Sequence, residues 1–174
     1  MSTRLYQEKK LYTATVTGQL LTSSKAGDPQ FRLEVELEGV CRSSNPEDGV
    51  EELAEDLKGL RTIFFTFVPD PDRMARVFRD LSIIGLNEPI ISKLDPDAPG
   101  GLKLVGKKVL VRVRYSPSRD GEGEQDWWNL AAPPAPPKKL TAEQLKAFQT
   151  SNKSAIADAF ERRNEPASSS ATPF

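Results

Sequence analysis

The 174-residue sequence predicts a mostly β fold: a five-stranded antiparallel barrel with one helix between the third and fourth strands, then a C-terminal helix and a disordered tail. Three observations carry this. Apolar residues alternate with polar ones in several short segments, the signature of strands with one face in a core. Only one stretch before residue 132 has a strong helical stripe, and it lies between the third and fourth of those segments. Beyond it, Pro133-Pro134-Ala135-Pro136-Pro137 ends the sheet, because proline has no N–H to give a ladder.

The first strand is expected over Leu11–Leu21, where Tyr12, Ala14 and Val16 alternate with Thr13, Thr15 and Thr17. A dense turn signal, Ser23 to Pro29, separates it from the second strand, Gln30–Val40. There Phe31, Leu33, Val35 and Leu37 point one way and Arg32, Glu34, Glu36 and Glu38 the other, so the pair reads as a hairpin. Residues 42–59 form an acidic insertion, with six acids and no base between Glu47 and Asp56. Leu53, Leu57 and Leu60 have helical spacing there, which suggests a short helix. The third strand is Arg61–Val68. Its run of Ile63, Phe64, Phe65, Phe67 and Val68 suggests burial on both faces.

Pro69-Asp70-Pro71-Asp72 stops that strand and opens a helix over about Asp72–Ile84, with an aspartate as N-cap and Pro71 in the first turn. Met74, Val77, Phe78, Leu81 and Ile84 make its apolar stripe, and Gly85 is placed to cap its end. After a loop rich in Pro, Asp and Gly, the fourth strand runs Lys107–Tyr115 and the fifth Gln125–Ala131. Residues 132–139 read as a Pro-rich linker. Thr141 to Arg163 reads as one helix with a Thr141/Gln144 capping box, and residues 165–174, which carry no charge after Glu165, as disordered.

Composition narrows function. The net charge of −1 excludes a uniformly basic nucleic-acid binder but not a local basic patch. A lone cysteine, Cys41, rules out an intramolecular disulfide, and the absence of histidine removes His-containing metal sites and imidazole-dependent triads. With no apolar leader and no run near the roughly 20 residues of a membrane span, a cytoplasmic protein with no membrane partner is expected. Asp70/Asp72 and Asp95/Asp97 resemble metal-binding pairs, but Asp-x-Asp beside proline is also turn and cap chemistry. Neither an enzyme nor a cofactor is expected.

The site candidates are cationic and aromatic. From Lys103 to Arg119 there are six bases (Lys103, Lys107, Lys108, Arg112, Arg114, Arg119) and no acid, and Lys108, Arg112 and Arg114 share one strand face. Such a face neutralises phosphates and releases counterions, or else is a solvated outer face. Trp127 and Trp128 are adjacent and so face opposite ways. Trp128, sharing parity with Leu130, belongs in the core, and Trp127 outside, where it offers a base-stacking platform. Tyr12, Phe64 and Tyr115 read as core rather than as stacking residues.

The element order over Leu11–Leu130 is that of the OB fold. Together with Ala26-Gly27-Asp28-Pro29, Val105-Gly106-Lys107-Lys108-Val109 and Asp126-Trp127-Trp128-Asn129-Leu130, it resembles phage-type and bacterial single-stranded DNA-binding OB proteins. Pro173-Phe174 resembles the Pro-Phe tip of the bacterial family, which recruits partner proteins, although uncharged Ser168 to Thr172 precede it here instead of acids. The resemblance implies sequence-tolerant binding of single-stranded DNA in replication or recombination, without catalysis. Lys107, Lys108, Arg112, Arg114, Arg119 and Trp127 would hold the strand. Pro173 and Phe174 or the C-terminal helix would meet replication or recombination partners. Self-pairing of that helix, giving a homo-oligomer, and its packing on the barrel stay open. The alternative is a protein-interaction or structural barrel, for example a virion or assembly component, which the acidic balance and the glutamates of the second strand favour.

Overall fold

Twelve-residue β1 (Tyr12–Ser23) and thirteen-residue β2 (Pro29–Cys41) pair antiparallel along nearly their whole length. The computed structural model describes residues 4–135 and 139–162. The register of this hairpin slips at Thr13/Ala14 and again at Val16/Gly18. Bulges of this kind raise local twist and let a long hairpin curl around its own apolar face. That face is the alternating set seen in the sequence: Ala14, Val16, Phe31, Leu33, Val35 and Leu37 are all buried.

The second edge of β2 is shared. β4 (Gly59–Thr66) pairs with residues 30–37, and β3 (Val50–Glu52) continues the same edge against residues 39–41. The sheet therefore has six strands, not the five expected, because the acidic insertion supplies one. The short helix expected near Leu53–Leu60 is absent. Leu53 N–H instead donates to the Glu38 carbonyl at 3.1 Å, extending the ladder, and only one turn forms, closed by Leu57 N–H to the Ala54 carbonyl at 2.9 Å. Leucine spacing alone did not reveal that Leu53 is drawn into the core by the strand pairing before it. Gly39 is what lets β3 come so close: a Cβ there would lie 2.5 Å from Val50 Cγ1 and 2.9 Å from the Glu51 carbonyl oxygen. Gly39→Ala is expected to cost about 1–3 kcal/mol by overpacking. Urea titration measures this, and an unchanged midpoint would show that β3 moves away freely.

On the other side β1 pairs with β5 (Lys108–Pro117), and β5 with β6 (Glu124–Ala131), all antiparallel. The ladder thus runs β4-β2-β1-β5-β6, and among the described residues no backbone ladder joins β4 to β6. The sheet is open there, not the closed five-stranded barrel expected, and side chains bridge that seam. Arg61 of β4 lies over the rings of Tyr6 and Trp128, with guanidinium-to-centroid distances of 5.3 and 5.8 Å, donates to the Tyr6 hydroxyl, and approaches Asp126 at 3.9 Å. Tyr6, Tyr12 and Trp128 meet edge-to-face beneath it. The N-terminal segment is tied across the same region by Arg4, which pairs with Glu124, and by Tyr6 N–H, which donates to the Tyr115 hydroxyl at 3.1 Å.

Between β4 and β5, α1 (Pro71–Ser82) forms where proline punctuation predicts it. Asp70 is the N-cap, its carboxylate accepting from the N–H groups of Asp72 and Arg73 at 3.0 and 3.1 Å. The helix ends two residues sooner than the apolar stripe suggests. Ile83 caps it, and Gly85, at φ 103°, turns the chain so that Ile84 and Leu86 enter the core. The loop that follows is pinned by Gln19, whose amide donates to the carbonyls of Leu94 and Leu102 and accepts from Leu104 N–H at 2.8 Å.

The described chain divides at residues 134/135 into two compact units. In the second, the single helix expected over 141–163 is two: α2 (Ala142–Ser151), with the Thr141/Gln144 capping box, and α3 (Lys153–Arg162). Asn152 leaves helical backbone at φ −119°, ψ 21°, and its side-chain amide donates to the Phe148 carbonyl at 2.9 Å, which ends α2 there. The tail 165–174, including Pro173 and Phe174, lies outside the described residues, as does part of the 132–139 linker.

Candidate nucleic-acid interface

The outer face of β5–β6 is set by register. Arg112 stands opposite Asn129, Arg114 opposite Trp127, and Ser116 opposite Gln125. Directly opposed residues share a sheet face, so two arginines, an amide and an indole form one patch. Trp127 is 41 % exposed and its Nε1–H donates to Ser116 Oγ at 2.6 Å, which fixes the ring beside Arg114. Trp128, one residue on, is 5 % exposed and faces the seam cluster. The strand parity expected from the sequence thus separates the two indoles.

The patch has a second wall that the sequence reading missed. A groove of about 650 Å³ opens between it and α1, lined by Arg76 and Arg79 of the helix and by Arg112, Arg114 and Asn129 of the sheet. Asp80 is the one acid on its lining, 3.7 Å from Arg79. Among the described residues no carboxylate pairs with Arg76, Arg112 or Arg114. Four guanidiniums converging from two elements with one opposing carboxylate create a positive cleft in a chain of net charge −1. The signal for the helix wall was legible: Arg76 and Arg79 lie three residues apart on the side of α1 away from Phe78 and Leu81. It went unread because those arginines lie 33 or more positions before Arg112, and nothing local says that α1 will stand beside β5.

The other cations of the Lys103–Arg119 run lie elsewhere. Lys108 pairs with Glu38 at 3.1 Å on the outer face of β1–β2. The Thr15 hydroxyl, which donates to Glu38 at 2.5 Å, and then Lys108 hold that carboxyl below its ordinary pKa. Lys103 donates to the Pro96 carbonyl. Lys107 and Arg119 are exposed but do not line the groove, Lys107 preceding β5 and Arg119 lying in the β5–β6 hairpin loop.

Among the aromatics, Tyr12 is buried and Tyr115 half-buried, as expected. Phe64 departs from its core reading: it is 47 % exposed, with the Arg32 guanidinium 5.5 Å from its ring centroid. β4 is an end strand of the ladder with one face to solvent, so its apolar run is not buried on both sides. Arg32 shares its face with Glu34 and Glu36, which disfavours phosphate there.

The remaining candidates have structural tasks. Asp70 caps α1, and Asp95 accepts from Asp97 N–H at 2.9 Å in a turn. Among the described residues no cluster of three or more His, Cys, Asp or Glu side chains gathers to hold a metal. Cys41 is fully buried, and burial pushes its thiol pKa up. No helix among the described residues is long and apolar enough to cross a membrane. The sequence matches no family model, and a search of curated proteins finds no significant match.

Proposed function

We propose that this chain binds single-stranded DNA with little sequence preference, through the groove between α1 and the β5–β6 face of an OB-type barrel. The observation that carries the reading is the juxtaposition of Arg112 and Arg114, unpaired among the described residues, with the exposed Trp127 on the same face. Arginine forks suit phosphate oxygens, and an indole stacks on any base, so the combination grips a strand without reading its sequence. A rigid duplex buries its bases from such a ring, which favours single strands. The role is coverage of exposed strands in replication or recombination, with no chemistry performed. The sheet order, with α1 between the third and fourth long strands, and the side-chain seam between β4 and β6 support the OB-type reading.

Titration with oligo-dT, following tryptophan emission, tests it. Trp127 emission should quench on binding, and affinity should fall steeply as salt rises, with a log–log slope of about −0.7 per phosphate bound. Binding that is absent at low ionic strength would overturn the reading and leave the protein-interaction module as the better one.

A further inference from the structure

The arginine ridge of α1 does not stop at the groove. Arg76 also lines a second depression, of about 440 Å³, whose other walls are Arg73, Val77, Thr66 and Val68. The two hollows therefore share one lining residue, Arg76. We infer that a bound single strand continues from the β5–β6 face over α1 into this depression, where a nucleobase rests on Val68 and Val77 while Arg73 and Arg76 hold the flanking phosphates.

This inference rests on the strand-binding reading above and extends it to a second subsite. Four observations support the path. Arg73 and Arg76 are exposed and make no ion pair among the described residues. Arg73, Arg76 and Arg79 climb the helix over about 9 Å at 1.5 Å per residue while winding about 120° around it, so the ridge runs obliquely from one hollow to the other. The Asp70 carboxylate accepts from two backbone N–H groups at the helix start, which leaves it turned to the N-terminus. The floor is mainly apolar with one hydroxyl at its edge, Thr66, whose oxygen accepts from Gln30 at 2.9 Å and so keeps its own proton to donate to a base carbonyl or ring nitrogen. A cation-rimmed apolar hollow matches a base flanked by phosphates, and not an anion alone.

The experiment uses the full chain and oligo-dT of about 4 and about 16 nucleotides, the range that one barrel of this type covers. Arg73→Gln should weaken the longer oligomer about tenfold at low salt and leave the shorter one, anchored at Trp127, unchanged. Arg42→Gln, an equal charge change on the insertion, should leave both unchanged. A photoreactive thymine at the end of the longer strand should crosslink within residues 66–77. If Arg73→Gln binds both lengths like the wild type while Arg112→Ala/Arg114→Ala weakens both, the second subsite is refuted and the groove stands. Equal weakening by Arg42→Gln refutes it as well, since the effect would then be net charge. A wild-type chain that binds neither length refutes the groove and this extension together.

Discussion

Trp128→Ala should destabilise the first unit by about 3–5 kcal/mol, the range for truncating a buried large aromatic. The indole is 5 % exposed, with ring centroids 5.0 Å from Tyr6 and 5.5 Å from Tyr12. Its Nε1–H donates to the Asp126 carboxylate at 2.9 Å, and that carboxylate also faces Arg61. Removing the ring therefore opens a cavity and takes from Arg61 one of the two aromatic faces it covers. The position makes the loss worse than a cavity of equal size elsewhere. Among the described residues β4 and β6 share no ladder, so side-chain packing holds the two ends of the sheet together. Against a typical stability of about 5–15 kcal/mol, this is a large share. Urea unfolding followed by far-UV circular dichroism measures it. Trp127→Ala, at an exposed position one residue away, should cost less than about 1 kcal/mol. Equal losses for the two variants would refute the seam as the site where this packing matters.

Replacing Arg112 and Arg114 together with alanine should weaken oligo-dT binding on the order of a hundredfold at low salt, about tenfold for each charge-assisted hydrogen bond to phosphate that is removed. The salt slope should shrink by about 1.4, from two phosphates at about 0.7 each. Both side chains are exposed and unpaired among the described residues, so the fold should be untouched. Trp127→Ala should cost roughly 1–3 kcal/mol of binding with no change in slope, because stacking releases few counterions. Lys108→Ala separates the geometry from strand parity. Parity alone makes Lys108 equivalent to Arg112, yet Lys108 is 3.1 Å from Glu38 and already neutralised. Its removal should leave the slope within error of wild type, while Arg76→Ala/Arg79→Ala should shrink it by at least about 0.7, the share of Arg76, which is unpaired among the described residues, Arg79 being opposed by Asp80. A Lys108→Ala slope change as large as that of either pair would overturn the groove as the binding site.

Local periodicity settled a good part of this molecule in advance. The two-residue repeat decides which side chains of β1, β2, β5 and β6 face the core, and one parity argument separates Trp127 from Trp128 without any tertiary information. The punctuation at Pro69–Asp72 placed the start of α1 within a residue, since cap chemistry acts over three or four positions. Each of these signals is short-range, so sequence order preserves it.

What the sequence left open are the pairings made at long separation. Whether Leu53 belongs to a helix or follows an edge strand depends on its neighbour Glu38, fifteen positions back. Whether Phe64 is buried depends on β4 ending the ladder. Six bases lie together between Lys103 and Arg119, yet only two of them enter the groove, and their companions Arg76 and Arg79 come from another element. Proximity along the chain measures electrostatic proximity poorly, because a strand alternates its charges between faces and tertiary packing adds others from far away. By itself the sequence determined the five long strands, α1, the buried faces of β1, β2, β5 and β6, and the cationic and aromatic residue types on hand. The tertiary structure alone decided which charges remain unpaired and which converge, because that depends on distances between elements packed across a common core.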